Sequence, residues 1–226
     1  MLEGRLQMNF DFEKAIRKFI SGMMDERRWR IYAHMNITYE NVLMHLFKQT
    51  MQTMFMLEIE RKDGNPWGLD LYRLLVSAPT HDMPEGHEDY EDLNYYIKRK
   101  NPELRIKYKE KEKRLFHQMM AEMFGKDTGS LIPVSLDMDN EAPKVNRVYW
   151  EALEHISHLM FILEELMLGG LTSEEQVGNF ERDVVHEHGA FLLEHAFHFS
   201  SVRFMVVEQI LPKWELYKKR EELKKG

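Results

Sequence analysis

The sequence predicts an all-α protein. Apolar residues recur at helical spacing along nearly the whole chain, and glycines and prolines sit where those runs stop. No convincing strand, internal repeat or low-complexity segment interrupts the pattern. The elements follow in order. Phe12 to Ile20 puts Ile16, Phe19 and Ile20 on one helical face. Tyr39 to Glu60 is a long Met-rich run, broken at Gly64-Asn65-Pro66. Leu69 to Val76 is a short apolar segment that ends near Pro79, and Pro84-Glu85-Gly86 is a turn. Pro102 opens another helix through Phe124, followed by a polar loop from Gly125 to Pro143. Asn146 to Leu168 stops at Gly169-Gly170. Ser173 with Gln176 resembles a capping box and opens a long C-terminal helix, which Gly189 would kink or divide. Met44, Met51, Met54 and Met56 are spaced as core fillers.

Composition narrows the function. A chain of 226 residues with 43% hydrophobic and 31% charged residues suits one soluble globular domain. Residues 8–212 form that domain, and 213–226 form a charged C-terminal tail, expected to be frayed and solvated. The net charge of −7 argues against a general binder of nucleic-acid polymers or membrane surfaces. No apolar stretch approaches the roughly 20 residues of a bilayer span, and the N-terminus lacks a signal-peptide run. A cytoplasmic protein is the expectation. The absence of cysteine removes disulfides and thiolate sites, so any metal must use His, Asp and Glu.

The sequence offers such a set. His45 lies in a helical run, His81-Asp82 closes the next one, and Glu85 follows by one turn. Glu154 and His155 sit on a later helix. Hydrolytic metal chemistry needs a few imidazoles and carboxylates around one ion, an open position for water, and an acid nearby to move its proton. The segment from His87 to Asp92 reads mostly as a solvated loop.

The order and spacing of these residues resemble the HD-domain metal-dependent phosphohydrolases, and within them the 5′-deoxynucleotidase branch. The matching patterns are Glu40-Asn41-Val42-Leu43-Met44-His45, His81-Asp82-Met83-Pro84-Glu85, Tyr108-Lys109 with Glu112, and Leu163-Glu164-Glu165-Leu166 nine residues after Glu154. The resemblance covers roughly Arg28 to Gly170. It implies an HD-type helical domain and hydrolysis of a deoxynucleotide phosphate ester, most simply a deoxynucleoside 5′-monophosphate. It implies that His45, His81, Asp82 and Glu154 hold a divalent ion, one of Mn, Co, Mg, Zn or Fe. Glu85 would be the general acid or base, Arg30 a phosphate contact, Trp29 a base or ribose contact and Asp89 a sugar contact. A homodimer is also implied. The chain departs from the family pattern in four places: Glu154 stands for an Asp, Met44 for a Glu, the residues after Glu85 run in a different register, and Trp29 precedes Arg30 where the family's Trp follows its Arg.

Three alternatives stay open. A triphosphohydrolase of the same fold would share every motif. The segment His186–Phe199, "HEHGAFLLEHAFHF", suggests another class. Glu187, Glu194 and His198 share one helical stripe, and His188 and His195 a neighbouring one. With Glu151/His155 or Glu154/His158 they would build a dinuclear iron or manganese oxidase site in a helical bundle. Alternatively they pair across helices or line an oligomer face. The third alternative is a non-catalytic binding protein with a degenerate site, which the departures would explain.

Overall fold

A computed structural model describes residues 17, 20–24, 41–87, 89–90, 101–124, 132–137, 144–168, 178 and 186–224. Within these residues the fold is all-α, with seven α-helices and no strand. They are α1 (Val42–Lys62), α2 (Leu71–Ser77), α3 (Pro102–Phe124), α4 (Lys144–Leu168), α5 (His186–Phe191), α6 (Ser200–Phe204) and α7 (Leu211–Lys224). None of the described helices is long and apolar enough to cross a membrane.

Local chemistry starts α3 at Pro102 as the sequence predicts, and α1 and α2 two to three residues after the expected Tyr39 and Leu69. Asn41 caps α1 by accepting the Met44 N–H at 2.8 Å, and Asp70 caps α2 through Arg73. Asn101 does the same ahead of Pro102, whose missing N–H costs nothing at a helix start. The C-terminal helix divides at Phe197–Phe199 rather than at Gly189, which lies inside α5 with open space around it. Phe199 explains the position of the break. It is fully buried and extended, and its ring packs edge-on against Tyr149 at 4.9 Å. Beyond it the chain is helical from Ser200 to Lys224, passing through a π segment at Met205–Ile210.

Two apolar clusters hold the helices together. One surrounds the middle of α4, where Tyr149, Trp150, Leu153 and Ile156 meet Met56 and Leu57 of α1, Leu74 of α2, and Phe199 and Val202. The other joins Val42 and Leu46 of α1, Met83, Met23 and the far half of α3 (Phe116, Met119, Met120, Met123). Each such fully buried side chain contributes about 1.5–3 kcal/mol relative to exposure.

α1 is bolted to α6 by charge. No side chain caps α6 locally; instead the buried Glu60 carboxylate accepts the Ser201 N–H at 2.7 Å, an anion at a helix N-terminus. The Tyr149 hydroxyl meets Ser201 Oγ at 2.8 Å, and burial drives the phenol well above its ordinary range.

Two expectations need correction. Of the four methionines assigned to the core, only Met56 is buried; Met44, Met51 and Met54 are about half exposed. Helical spacing marks an apolar face but not its direction, and α1 turns that face outward. The charged C-terminal segment is not a frayed end. Tyr217 is buried, and Arg220 reaches the Met167 carbonyl.

Candidate metal centre

The site is assembled from three sequence-distant places. The Asn41 cap fixes the first turn of α1, and the His45 N–H closes on the Asn41 carbonyl at 3.0 Å. His45 therefore projects inward between Val42 and Leu46 and is buried. After α2 the chain winds into a 3-10 turn over Met83–Gly86, which places His81 and Asp82 at its entry and Glu85 on it. His81 Nδ1 lies 2.9 Å from the Ala78 carbonyl, and Trp150 packs edge-on against the ring at 5.1 Å. A carbonyl only accepts, so His81 Nδ1 carries a proton, and in the neutral ring Nε2 presents a lone pair inward.

α4 supplies Glu154. His81 Nε2 lies 3.3 Å from His45 Nε2, 3.3 Å from Asp82 Oδ2 and 3.3 Å from Glu154 Oε1. His45 Nε2 lies 3.6 Å from Asp82 Oδ2. Ligands bound at about 2.1 Å to one ion stand roughly 3.0–3.4 Å apart. Donor atoms of His45, His81 and Glu154 all lie within 4.8 Å of one another, the one His/carboxylate group of that kind among the described residues. Carboxylate oxygens of Asp82 and Glu154 face His81 Nε2 here, an arrangement that a positive charge, a proton or a metal ion, stabilises. The donor set thus fits a divalent ion, and nitrogen and oxygen ligands without sulfur suit several first-row metals as well as Mg²⁺.

Of the other predicted site residues, Glu85 is half-buried one turn beyond Asp82, with its N–H on the Asp82 carbonyl at 3.0 Å. Asp89 has a largely exposed side chain, and its N–H donates to His87 Nδ1 at 3.1 Å. Trp29 and Arg30 lie outside the described residues. Tyr108, Lys109 and Glu112 belong to α3, where Lys109 donates to the Ser135 carbonyl and Glu112 meets Tyr90.

Four neighbours escaped sequence reasoning. Gln49, one turn after His45 and fully buried, donates to Glu154 Oε1 at 3.4 Å. Its i, i+4 relation to His45 was the available signal. Trp150 lies four residues before Glu154 and packs on His81. Gly22 lies so near the Met83–Gly86 turn that a Cβ there would stand 2.0 Å from the Gly86 carbonyl oxygen. His87, read as part of a solvated loop, is buried, and its Nε2 has no hydrogen-bond partner among the described residues.

The C-terminal histidines form no comparable centre. His155 and His188 pair across α4 and α5 through their Nδ1 atoms, with His158 stacked 5.2 Å from His188. Burial, and secondarily His188, lowers the His155 pKa to about 4, against a smaller opposing pull from Glu187. Glu154 lies 3.3 Å from His81 Nε2, and among the described residues the one group of three or more metal-ligating side chains is His45, His81 and Glu154, not the cluster a dinuclear oxidase needs.

With this geometry in view, residues 17–186 match the model of the family described as 5′-deoxynucleotidase YfbR-like. The chain belongs to the YfbR-like family. The match takes in α1 through α4, and with them all four donor residues. No curated protein and no solved structure matches the chain. Membership in the YfbR-like family makes the protein a hydrolase of the 5′-deoxynucleotidase type, acting on small nucleotides.

Proposed function

We propose that the protein hydrolyses deoxynucleoside 5′-monophosphates to deoxynucleoside and phosphate, at a divalent ion held by His45, His81, Asp82 and Glu154. The observation that carries this is the convergence of His45, His81 and Glu154 donor atoms within 4.8 Å of one another, with Asp82 Oδ2 3.3–3.6 Å from the two imidazole nitrogens, in a YfbR-like chain. When bound, the ion supplies positive charge to phosphate oxygens and lowers the pKa of a water. Glu85, on the turn that starts at Asp82, takes the proton of the attacking water as the new P–O bond forms. The P–O5′ bond breaks, and the departing oxygen takes up a proton. Arg30 offsets phosphate charge with a fork that is always cationic. Trp29 packs on the base or ribose, and Asp89 contacts the sugar. His45 and His81 are buried, which holds their rings in place for the ion. The two apolar clusters share α-helices of the matched region, which supports treating 8–212 as one catalytic domain.

The test uses metal-stripped protein resupplied with Mn²⁺, Co²⁺ or Mg²⁺ and offered deoxynucleoside mono- and triphosphates. Free phosphate from monophosphates, lost in His81→Ala, supports the proposal. Released tripolyphosphate moves the assignment to a triphosphohydrolase. No product with metal bound overturns it.

A further inference from the structure

The metal centre leaves the stretch from Phe191 to Phe199 without a role, and this stretch walls a cavity. The cavity measures about 370 Å³, within the range of small-molecule sites. Val145, Val148 and Glu151 of α4 form one side of it. Phe191, His195, His198 and Phe199 form the other, and these lie beyond residue 186, where the family match ends. The chain packs on α4 here through a π segment at Leu192–Ala196, a rare geometry that recurs at functional sites. Phe199 is fully buried and makes the floor, whereas His195 and His198 are exposed, so the cavity is reachable from solvent. None of the donor residues of the metal centre lines it.

The lining selects by charge. Glu151 is half-buried and makes no hydrogen bond or ion pair among the described residues. No Lys or Arg stands among the lining residues. Glu194 adds a second negative charge nearby, with its Oε2 3.9 Å from His195 Nε2. An anionic ligand such as a second phosphate is therefore repelled. A metal ion does not fit either, because Glu151, His195 and His198 do not gather their donor atoms within 4.8 Å of one another. A neutral apolar ligand would cover the Glu151 carboxylate without pairing it, which is costly. A substituted ammonium ion meets each demand. Its charge pairs with Glu151, and its alkyl groups pack on Val145, Val148 and Phe191. Aromatic rings attract such weakly hydrated cations through their faces. Trp67, edge-on to His198 at 4.4 Å and 6.1 Å from Phe199, extends the aromatic wall.

We propose that this cavity binds a small substituted ammonium ion, with Glu151 as its counter-charge and Phe191 as its aromatic wall. The proposal is independent of the hydrolytic reading, because its test reads binding alone.

Choline is titrated into the full-length protein by calorimetry at constant pH and ionic strength, beside neohexyl alcohol, its uncharged carbon analogue. Trp67 contacts two lining residues, so tryptophan fluorescence gives a second signal, and Trp67→Phe identifies its share. Circular dichroism checks that each variant is folded. The expected result is saturation by one choline per chain in the low-millimolar range or below. The alcohol binds at least tenfold more weakly, and Glu151→Gln weakens choline at least tenfold while leaving the alcohol unchanged. Phe191→Leu, which keeps apolar bulk, weakens choline several-fold. His81→Ala, which disables the metal centre, leaves choline binding unchanged. Absence of saturable choline binding overturns the proposal. Equal binding of choline and the alcohol does so too, as does choline binding that survives Glu151→Gln or Phe191→Leu intact. Loss of binding in a folded His81→Ala places the ligand at the metal centre and likewise overturns it.

Discussion

Two pairs of histidines meet across helices in this protein, and they differ in what surrounds them. His45 and His81 bring their Nε2 atoms to 3.3 Å, with an Asp82 oxygen 3.3–3.6 Å from both and a Glu154 oxygen 3.3 Å from His81. His155 and His188 also meet nitrogen to nitrogen, beside the Phe191 ring and a third imidazole, His158, with the charge of Glu187 acting on His155. Adjacent residues of α4 serve the two pairs: Glu154 points to the first and His155 to the second. The difference lies in the carboxylates. The first pair has carboxylate oxygens within 3.6 Å of its nitrogens, the donor set that a cation needs, whereas Glu187 acts on the second only as the smallest influence on His155.

The comparison breaks most cleanly at the histidines themselves. His81→Ala is expected to lower phosphate release by about 10³-fold and abolish stoichiometric Mn²⁺ binding, while His155→Ala leaves both within a few-fold. Calorimetric metal titration alongside the activity assay checks this, and equal losses in the two variants would sink the distinction.

The second pair should show itself in stability instead. His155 titrates near 4 in the folded protein and near 6.5 when unfolded. Between these values the unfolded chain binds the additional proton, so stability falls as pH drops from 6.5 to 4. The loss is on the order of 3 kcal/mol. Urea midpoints across that window should fall less steeply in His155→Leu than in the unmodified protein; parallel curves would refute the assignment.

Gln49→Leu sharpens the comparison from the other side. It removes the donor to Glu154 while keeping the buried volume, and metal affinity should weaken about 10–100-fold. Thermal stability measured without metal should change little, which separates positioning from packing. Smallest is Asn41→Ala, which deletes the α1 cap one turn before His45. It should cost about 1 kcal/mol in chemical denaturation, without altering the metal stoichiometry.

Much of the site was legible because its chemistry restricts residue types. A chain without cysteine must bind metal through His and carboxylate, and His45, His81-Asp82, Glu85 and Glu154 occur in a recognisable order. Gln49, Trp150 and Gly22 were not legible in that way. A glutamine, a tryptophan and a glycine have many uses in a helix, and only the neighbours they meet select one. The methionines of α1 defeat the pattern for a related reason. Periodicity groups side chains into faces, and the face with more apolar residues is ordinarily the buried one. In α1 the buried face is shared between apolar Val42, Leu46, Met56 and Leu57 and polar His45, Gln49, Thr53 and Glu60, so Met44, Met51 and Met54 fall outside it.

The sequence by itself determined the local events: where helices begin at Asn41, Asp70 and Asn101, and which residue types were available to hold an ion. Capping and turn formation depend on bonds between residues a few positions apart, so they can be read along the chain. Tertiary structure decided which face of α1 turns inward, that the C-terminal helix breaks at Phe199, and that Glu154 rather than His155 joins His45 and His81. Those outcomes depend on packing between residues as far apart as His45 and Glu154. The balance there is set by buried area and by the satisfaction of buried polar groups, quantities that exist only once the helices have met.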